Sequence, residues 1–440
     1  MATQNALYAQ SGGVTAVINA SACGVIQTAR LNPSQIGTVY AAHNGIIGAL
    51  REELIDTAQE TDANIAKLLH TPAGAFGSCR HKLNPEGPEL TRLMEVFRAH
   101  NIGYFFYNGG GDSQDTAAKI AEYSQSIGFT VTCIGIPKTV DNDLPFTDTC
   151  PGFGSVAKYV AISTREASLD VASMAASSTK VFILEVMGRH AGWIAAAAGL
   201  AGKEAHEAPH IILFPEIPFD EAKFLQKVSE CTRNFGYCVV VAAEGIKNQQ
   251  GKFLADAGLR DAFGHAQLGG VAPVLAQLVK RELRYKYHWA VADYLQRAAR
   301  HIASGVDLEQ AYALGKKAVE LALNGKSGIM PIIVREQDTP YRWSLGEVAL
   351  SDVANQEKKM PADFIRADGM GITDACRKYL HPLIQGEAYP PYQEGMPDYI
   401  QIKANLIAKR LPTWELSARE PASRAILNEP KDLEIPKQRP

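Results

Sequence analysis

The chain has 440 residues, 46% of them hydrophobic and 21% charged, with a formal net charge of −3. That length exceeds what one hydrophobic core usually serves, and the composition is that of a globular protein rather than a disordered, fibrous or membrane one, so two lobes with a cleft between them are expected. The near-neutral balance offers no broad basic surface for a nucleic-acid backbone, which leaves small phosphorylated ligands held by local groupings of Arg, Lys and backbone N–H.

The N-terminus, Met1-Ala2-Thr3-Gln4-Asn5, enters structure without the basic and apolar regions of a signal peptide. A first strand-length run, Ala6–Ala9, leads into Ser11-Gly12-Gly13 and then a helical stretch from about Ala16 to Ala29. Glycines here let a ligand approach the backbone and a helix start offers free N–H groups to phosphate, although a tight strand-to-helix turn requires no ligand. A second run, Tyr104–Tyr107, ends in Asn108-Gly109-Gly110-Gly111-Asp112-Ser113, where three glycines cost backbone entropy that a plain turn does not need. The simpler reading of Asp112 or Ser113 is a helix N-cap. A third run, Val131–Ile136, is followed by Pro137-Lys138-Thr139-Val140-Asp141-Asn142-Asp143. Transfer of a phosphoryl group to an alcohol needs a carboxylate near the attacking hydroxyl and cations near the phosphoryl, and this loop contains both; its alternative is a solvated acidic turn strained at Asn142.

Further along, Val181–Val186 ends in Met187-Gly188-Arg189-His190, and Tyr237–Ala242 ends in Ala243-Glu244-Gly245, with Ile211–Phe214 as another strand between them. Arg189 could hold a phosphate and Glu244 could accept sugar hydroxyls, though each residue type is more often a surface ion-pair member. The apolar stretch Trp193–Ala201 is about half of a membrane span and reads as a buried helix, so no anchor is expected. Tyr294-Leu295-Gln296-Arg297 follows apolar Trp289–Val291 and gains interest only from the motifs before it. Gly325-Lys326-Ser327 is a false P-loop, since Glu320 stands where the first glycine is required, and no G-x-G-x-x-G follows the first strand. From about Ser351 to Tyr399 the chain is irregular but carries Tyr and Leu that should pack on the core, and the last dozen residues read as a loose tail. Seven scattered cysteines without a C-x-x-C pair fit neither a disulfide framework nor a zinc site and point to a reducing cytoplasm.

Alternation of strands and helices implies an α/β fold with parallel sheets covered on both faces, and ligands at the strand C-termini. In order, Gln10-Ser11-Gly12-Gly13, Gly77-Ser78-Cys79-Arg80, Gly109–Ser113, Pro137–Asp143, Met187-Gly188-Arg189, Ala243-Glu244-Gly245 and Tyr294–Arg297 resemble the motifs of the phosphofructokinase family over roughly three quarters of the chain. Lys358-Lys359-Met360-Pro361 and Gly395-Met396-Pro397 are further similar to its pyrophosphate-dependent bacterial members.

The resemblance implies two doubly wound, Rossmann-like lobes with the active site in their cleft: a donor lobe over 1–150, a sugar-phosphate lobe over 151–335, and a helical and irregular extension over 336–440 packed on the core. It makes Asp141 the base for the 1-hydroxyl of fructose 6-phosphate, with Lys138 and Asp112 as its catalytic companions. Gly12, Gly13, Arg80 and Gly111 would face the donor, while Thr139, Met187, Gly188, Arg189, Glu244, Tyr294 and Arg297 would hold the sugar phosphate. ATP-using relatives have glycine at the positions of Asp112 and Lys138. A carboxylate at 112 repels the α-phosphate of ATP, and an ammonium at 138 substitutes for contacts the nucleotide would supply, so pyrophosphate is the expected donor; an ATP-dependent enzyme or a non-catalytic sugar-phosphate sensor are the alternatives. Mg²⁺ is the expected cofactor with Asp112 as its candidate ligand, since Gly111 stands where many relatives place a metal-binding aspartate. A homo-oligomer, dimer or tetramer, is expected. Lys180 replaces an arginine that in allosteric relatives reaches a neighbouring subunit's site.

Overall fold

A computed structural model describes residues 3–84, 87–260, 266–268 and 270–415. The first part of the chain forms β1 (Gln4–Gln10), α1 (Ile18–Arg30), β2 (Ile36–Ala42), α2 (Ile46–Leu50), β3 (Leu54–Asp56), α3 (Asp62–Lys67), α4 (Glu89–Ala99), β4 (Ile102–Gly109), α5 (Gly111–Ser126) and β5 (Thr132–Pro137). The second part forms α6 (Phe153–Met174), β6 (Val181–Val186), α7 (Trp193–Ala197), β7 (Ile211–Leu213), α8 (Glu221–Phe235), β8 (Cys238–Ala243), a ribbon of β9 (Asp256–Arg260) and β10 (Ala266–Leu268), α9 (Val271–Leu283), β11 (Tyr287–Val291) and α10 (Asp293–Ala298). After these come α11 (Gly305–Leu323), the hairpin β12 (Ile329–Asp338) and β13 (Tyr341–Ala349), α12 (Leu350–Val353) and α13 (Asp374–Leu380).

Seven strands make the first sheet in the order β13-β12-β5-β4-β1-β2-β3, and four make the second in the order β11-β6-β8-β7. Strands β1, β4 and β5 are parallel neighbours, so the loops after them open on one edge as expected. Each strand alternates between two cores, as a period of two requires. Leu7, Phe105 and Cys133 pack against α4 and α5 through Phe97 and Ile120. Ala6, Phe106 and Ile134 face the other way, onto Val25 of α1 and Val319 of α11. The second sheet repeats the scheme: Leu184 and Val241 meet Val160 of α6 and Ile194 of α7, whereas Ile183 and Val240 meet Val228 of α8 and Leu275 of α9. Burying each of the Val, Leu, Ile and Phe side chains among these stabilises the fold by about 1.5–3 kcal/mol.

The extension packs on this core: Met360, Ile372, Cys376 and Leu380 join the core around Trp193, and the chain near Ile407 and Trp414 lies against the first lobe. The expected limit at 335 falls inside the β12–β13 hairpin, and the whole hairpin extends the first sheet through the pairing of Ile329 with Ile134. Trp193–Ala201 is a short buried helix continued by a tighter turn, and no helix among the described residues is long and apolar enough to cross a membrane. The expected loose tail lies outside the described residues.

Candidate active site

The turn after β1 is possible because Gly12 adopts φ +73°, which a side chain would disfavour. It is tied to the 77–80 segment by Gly12 N donating to Cys79 O (3.0 Å) and Ser78 Oγ donating to Gly12 O (2.8 Å). At Gly13 an added Cβ would stand 2.6 Å from Arg297 Nη1 and 3.7 Å from Arg80 Nη2, so two guanidinium groups converge on a bare backbone. Lys138 Nζ donates to Gly13 O at 2.6 Å, adding a third cation. Lys138 is buried, and burial pushes its pKa down to about 8; Asp141 opposes that shift, and Arg297 and Arg80 reinforce it. Lys138 and Arg297 both feel the Asp141 carboxylate, and together with Arg80 they make this corner of the cleft cationic.

The three glycines after β4 have different causes. A Cβ on Gly109 would strike Ser113 Oγ at 2.1 Å, so packing alone demands that glycine. Gly111 meets nothing within 4 Å and opens α5 onto the cleft, with Gly110 as an N-cap lacking a side-chain bond. Exposed N–H groups at such a helix start favour anions. Asp112, in the first turn, is neither bare nor an N-cap: its Oδ1 accepts from Lys82 Nζ at 2.9 Å. The expected unscreened carboxylate is therefore part of an ion pair, and Coulomb repulsion of a nucleotide is correspondingly reduced.

In the third loop Asn142 takes φ +55°, a left-handed conformation costly for a residue with a Cβ. Its side chain compensates: Oδ1 accepts from Cys150 N (3.0 Å) and Nδ2 donates to Tyr379 OH (3.0 Å). On its flanks, Asp141 N donates to Thr139 Oγ1 (3.1 Å), and Thr139 Oγ1 donates to Asp141 Oδ2 (3.4 Å). Burial raises the Asp141 carboxyl above its ordinary value, against the pull of Lys138 and Arg189. Asp143 is pushed up to about 7, first by burial and then by the Asp141 and Glu357 carboxylates.

Across the cleft, Gly188 has φ +134°, and Gly245 admits Arg189 O where a Cβ would lie at 2.0 Å. These close approaches bring the ends of β6 and β8 together. Gly188 N points to Glu244 Oε1 at 3.5 Å, and the Glu244 carboxyl is raised to about 7 by burial and by Asp141. Buried Gln296 accepts from Met187 N at 3.2 Å, fixing the Met187 backbone to α10. Arg189 Nε is buried without a partner, and Arg297 lies 4.0 Å from the ring centroid of exposed Tyr294.

One cleft of about 630 Å³ joins Gly12, Gly13, Arg80, Gly111, Asp112, Lys138, Thr139, Asp141, Met187, Arg189, Glu244, Tyr294 and Arg297. Gly188 stands just behind it, in contact with Glu244. A groove of about 1080 Å³ along α8 and α9 is wider, but its one arginine, Arg281, is already bridged to Glu221 at 3.1 Å. Asp143 and His190, named in the sequence only as members of their loops, line the cleft together with Lys358 and Lys359, to which sequence reading gives no site role, and it misses Lys82 as the partner of Asp112. The similarity at Lys358-Lys359-Met360-Pro361 was the available signal for two of them. Among the described residues no group of three side chains could hold a metal. The donor set fits an ion carried chiefly by phosphate oxygens and touched by one carboxylate, Asp112.

The phosphofructokinase family profile matches residues 5–322. A relative from Methylococcus capsulatus named pyrophosphate--fructose 6-phosphate 1-phosphotransferase is 64% identical over 93% of this chain and 99% of its own length. A relative of the same name from Halomonas elongata is 61% identical over 94% of this chain and 100% of its own. The crystal structure of pyrophosphate-dependent phosphofructokinase from Marinobacter aquaeolei superposes with a TM-score of 0.87 at 64% identity, covering 94% of this chain and 100% of that one. Family match, full-length likeness and the convergence of seven motifs on one cleft agree: the chain belongs to the phosphofructokinase family.

Proposed function

We propose that the protein transfers a phosphoryl group reversibly between pyrophosphate and the 1-hydroxyl of D-fructose 6-phosphate, producing fructose 1,6-bisphosphate and phosphate. The observation that carries this reading is the placement of Lys138, Arg80 and Arg297 around the bare backbone of Gly13, with Asp141 beside them. Asp141 accepts the proton of the hydroxyl as its oxygen attacks the near phosphorus; the bond to the bridging oxygen breaks, and phosphate departs toward Arg80 and the α5 N-terminus. Lys138 holds its ammonium where charge moves from one phosphoryl to the other, a group already fixed by Gly13 and so needing no reorganisation. Gly12, Gly13, Arg80 and Gly111 cradle the donor. Thr139, Met187, Gly188, Arg189, Glu244, Tyr294 and Arg297 hold the sugar phosphate, with the Arg189 side chain lining the cleft as a cation for its anion.

The family uses a divalent metal, and Mg²⁺ neutralises pyrophosphate oxygens when bound; Asp112 is the residue that would meet it, by exchanging or sharing its bond to Lys82. Asp112, with Lys82 bonded to it, sits on the donor loop where the resemblance puts the α-phosphate of ATP, so donor choice rests on the space the pair occupies as well as on charge. Seven unpaired cysteines support a cytoplasmic home, and the expected association of copies into a dimer or tetramer would cover exposed apolar side chains such as Leu169, Trp289 and Leu295. Purified protein supplied with fructose 6-phosphate and a magnesium salt of pyrophosphate tests the reading; bisphosphate formed with ATP and none with pyrophosphate refutes it.

A further inference from the structure

Lys358 and Lys359 both line the cleft, yet neither has a role in the transfer just described. Lys358 comes from the extension after α12, far in sequence from the loop it touches. Its Nζ donates to Asn142 Oδ1 (3.1 Å), Thr147 O (3.1 Å) and Asp148 O (2.9 Å), so its three protons meet three neutral oxygens. Its main chain is held as firmly: Lys358 N donates to Asp143 O at 2.6 Å, and Lys358 O accepts from Trp193 Nε1 at 3.4 Å. The Trp193 ring lies 5.4 Å from the ammonium. The Asp148 carboxylate is engaged elsewhere, by Arg335 at 2.9 Å. Burying an ammonium without a carboxylate partner is costly, and the hydrogen bonds it makes all serve one segment, residues 142–148.

We propose that Lys358 is a positioning residue for phosphoryl transfer: its ammonium clamps the loop of Asp141 and Asp143 onto the extension and so sets the base against Lys138. Asn142 lies between the two carboxylates in a conformation that persists only when its surroundings over-determine it. Removing the ammonium leaves Thr147 O and Asp148 O without that donor and reduces Asn142 Oδ1 to its bond from Cys150 N. The loop then relaxes, and Asp141, held otherwise through Thr139, drifts from the reacting hydroxyl. A misplacement of about 1 Å costs about 100-fold in rate.

The inference rests on the proposed reaction, and the two fail separately: wild-type protein without pyrophosphate-dependent turnover refutes the reaction, whereas a fully active Lys358→Met refutes the inference alone. In Lys358→Met we expect kcat to fall about 100-fold while the dissociation constant of fructose 6-phosphate alone, by calorimetry, changes less than about 3-fold. Lys358→Arg, which keeps charge and donors, recovers about 10-fold of that loss. Asn142→Gly accepts the backbone conformation but lacks Oδ1; its kcat falls similarly, and the double variant is no slower than either single one. A kcat in Lys358→Met within about 2-fold of wild type, independent multiplication of the two losses, or affinity collapsing in step with kcat overturns the proposal. Should Lys358→Met fail to fold, wild-type kcat in Asn142→Gly overturns it equally.

Discussion

At Asp141 the structure joins a carboxylate raised by burial to an ammonium lowered by burial, each the other's opposing influence. Replacing Asp141 by Asn removes the base and keeps the shape, so kcat should fall by about 10²–10⁴-fold with fructose 6-phosphate affinity retained, read by steady-state kinetics beside calorimetry. Equal loss of both would make Asp141 structural. The free enzyme's Lys138 loses its proton near pH 8, below its ordinary range. We therefore expect kcat/KM for pyrophosphate to decline as pH rises through about 8, with that alkaline limb absent in Lys138→Met; a limb persisting unchanged in the variant assigns it to another group. These residues were legible in the sequence because each sits in a short loop that ends a strand, where local spacing sets spatial neighbourhood. Lys82 and Lys358 were not legible in role, because Lys82 reaches Asp112 from 30 positions away and Lys358 reaches Asn142 from 216.

Among the elements, the start of α5 shows how far local reading goes. Three glycines pointed to a close approach, but Gly109 answers to Ser113 and only Gly111 faces open space. Periodicity placed the strands that end in these loops, since β1, β4 and β5 are buried on both faces and read as continuous apolar runs. It could not place the strap near Arg410, whose anchor is a single buried carboxylate at the end of α2. Glu52 accepts from His100 Nε2 (2.7 Å), Arg410 N (2.9 Å), Leu411 N (3.1 Å) and Arg92 Nη2 (3.4 Å). Burial raises that carboxyl, but these bonds outweigh it and its pKa ends below the ordinary value. The folded state thus favours the ionised form, so the contribution is present above the ordinary glutamate range and is lost as pH falls through the depressed value. Glu52→Ala should destabilise the protein by about 3–5 kcal/mol, measured by urea unfolding at neutral pH; a loss below about 1 kcal/mol would show that the strap is held by Trp414 and its neighbours instead.

For the whole molecule, two sheets with parallel centres and a cleft at their strand ends follow from the alternation of apolar runs with helical segments. The hairpin of β12 and β13 did not, because an antiparallel pair added at a sheet edge depends on which strand is left open, here β5. In the proposed dimer or tetramer exposed side chains such as Leu169, Trp289 and Leu295 would be covered, and light scattering on the eluted protein checks the assembly; a strictly monomeric mass with full activity would contradict it. With fructose 6-phosphate and magnesium held fixed, initial rates with pyrophosphate and with ATP compare the two directly. We expect rapid turnover with pyrophosphate, reversed on adding phosphate to the bisphosphate, and ATP turnover that emerges only when Asp112 and Lys138 are both changed to Gly. Turnover of ATP by the unaltered protein without turnover of pyrophosphate would contradict it.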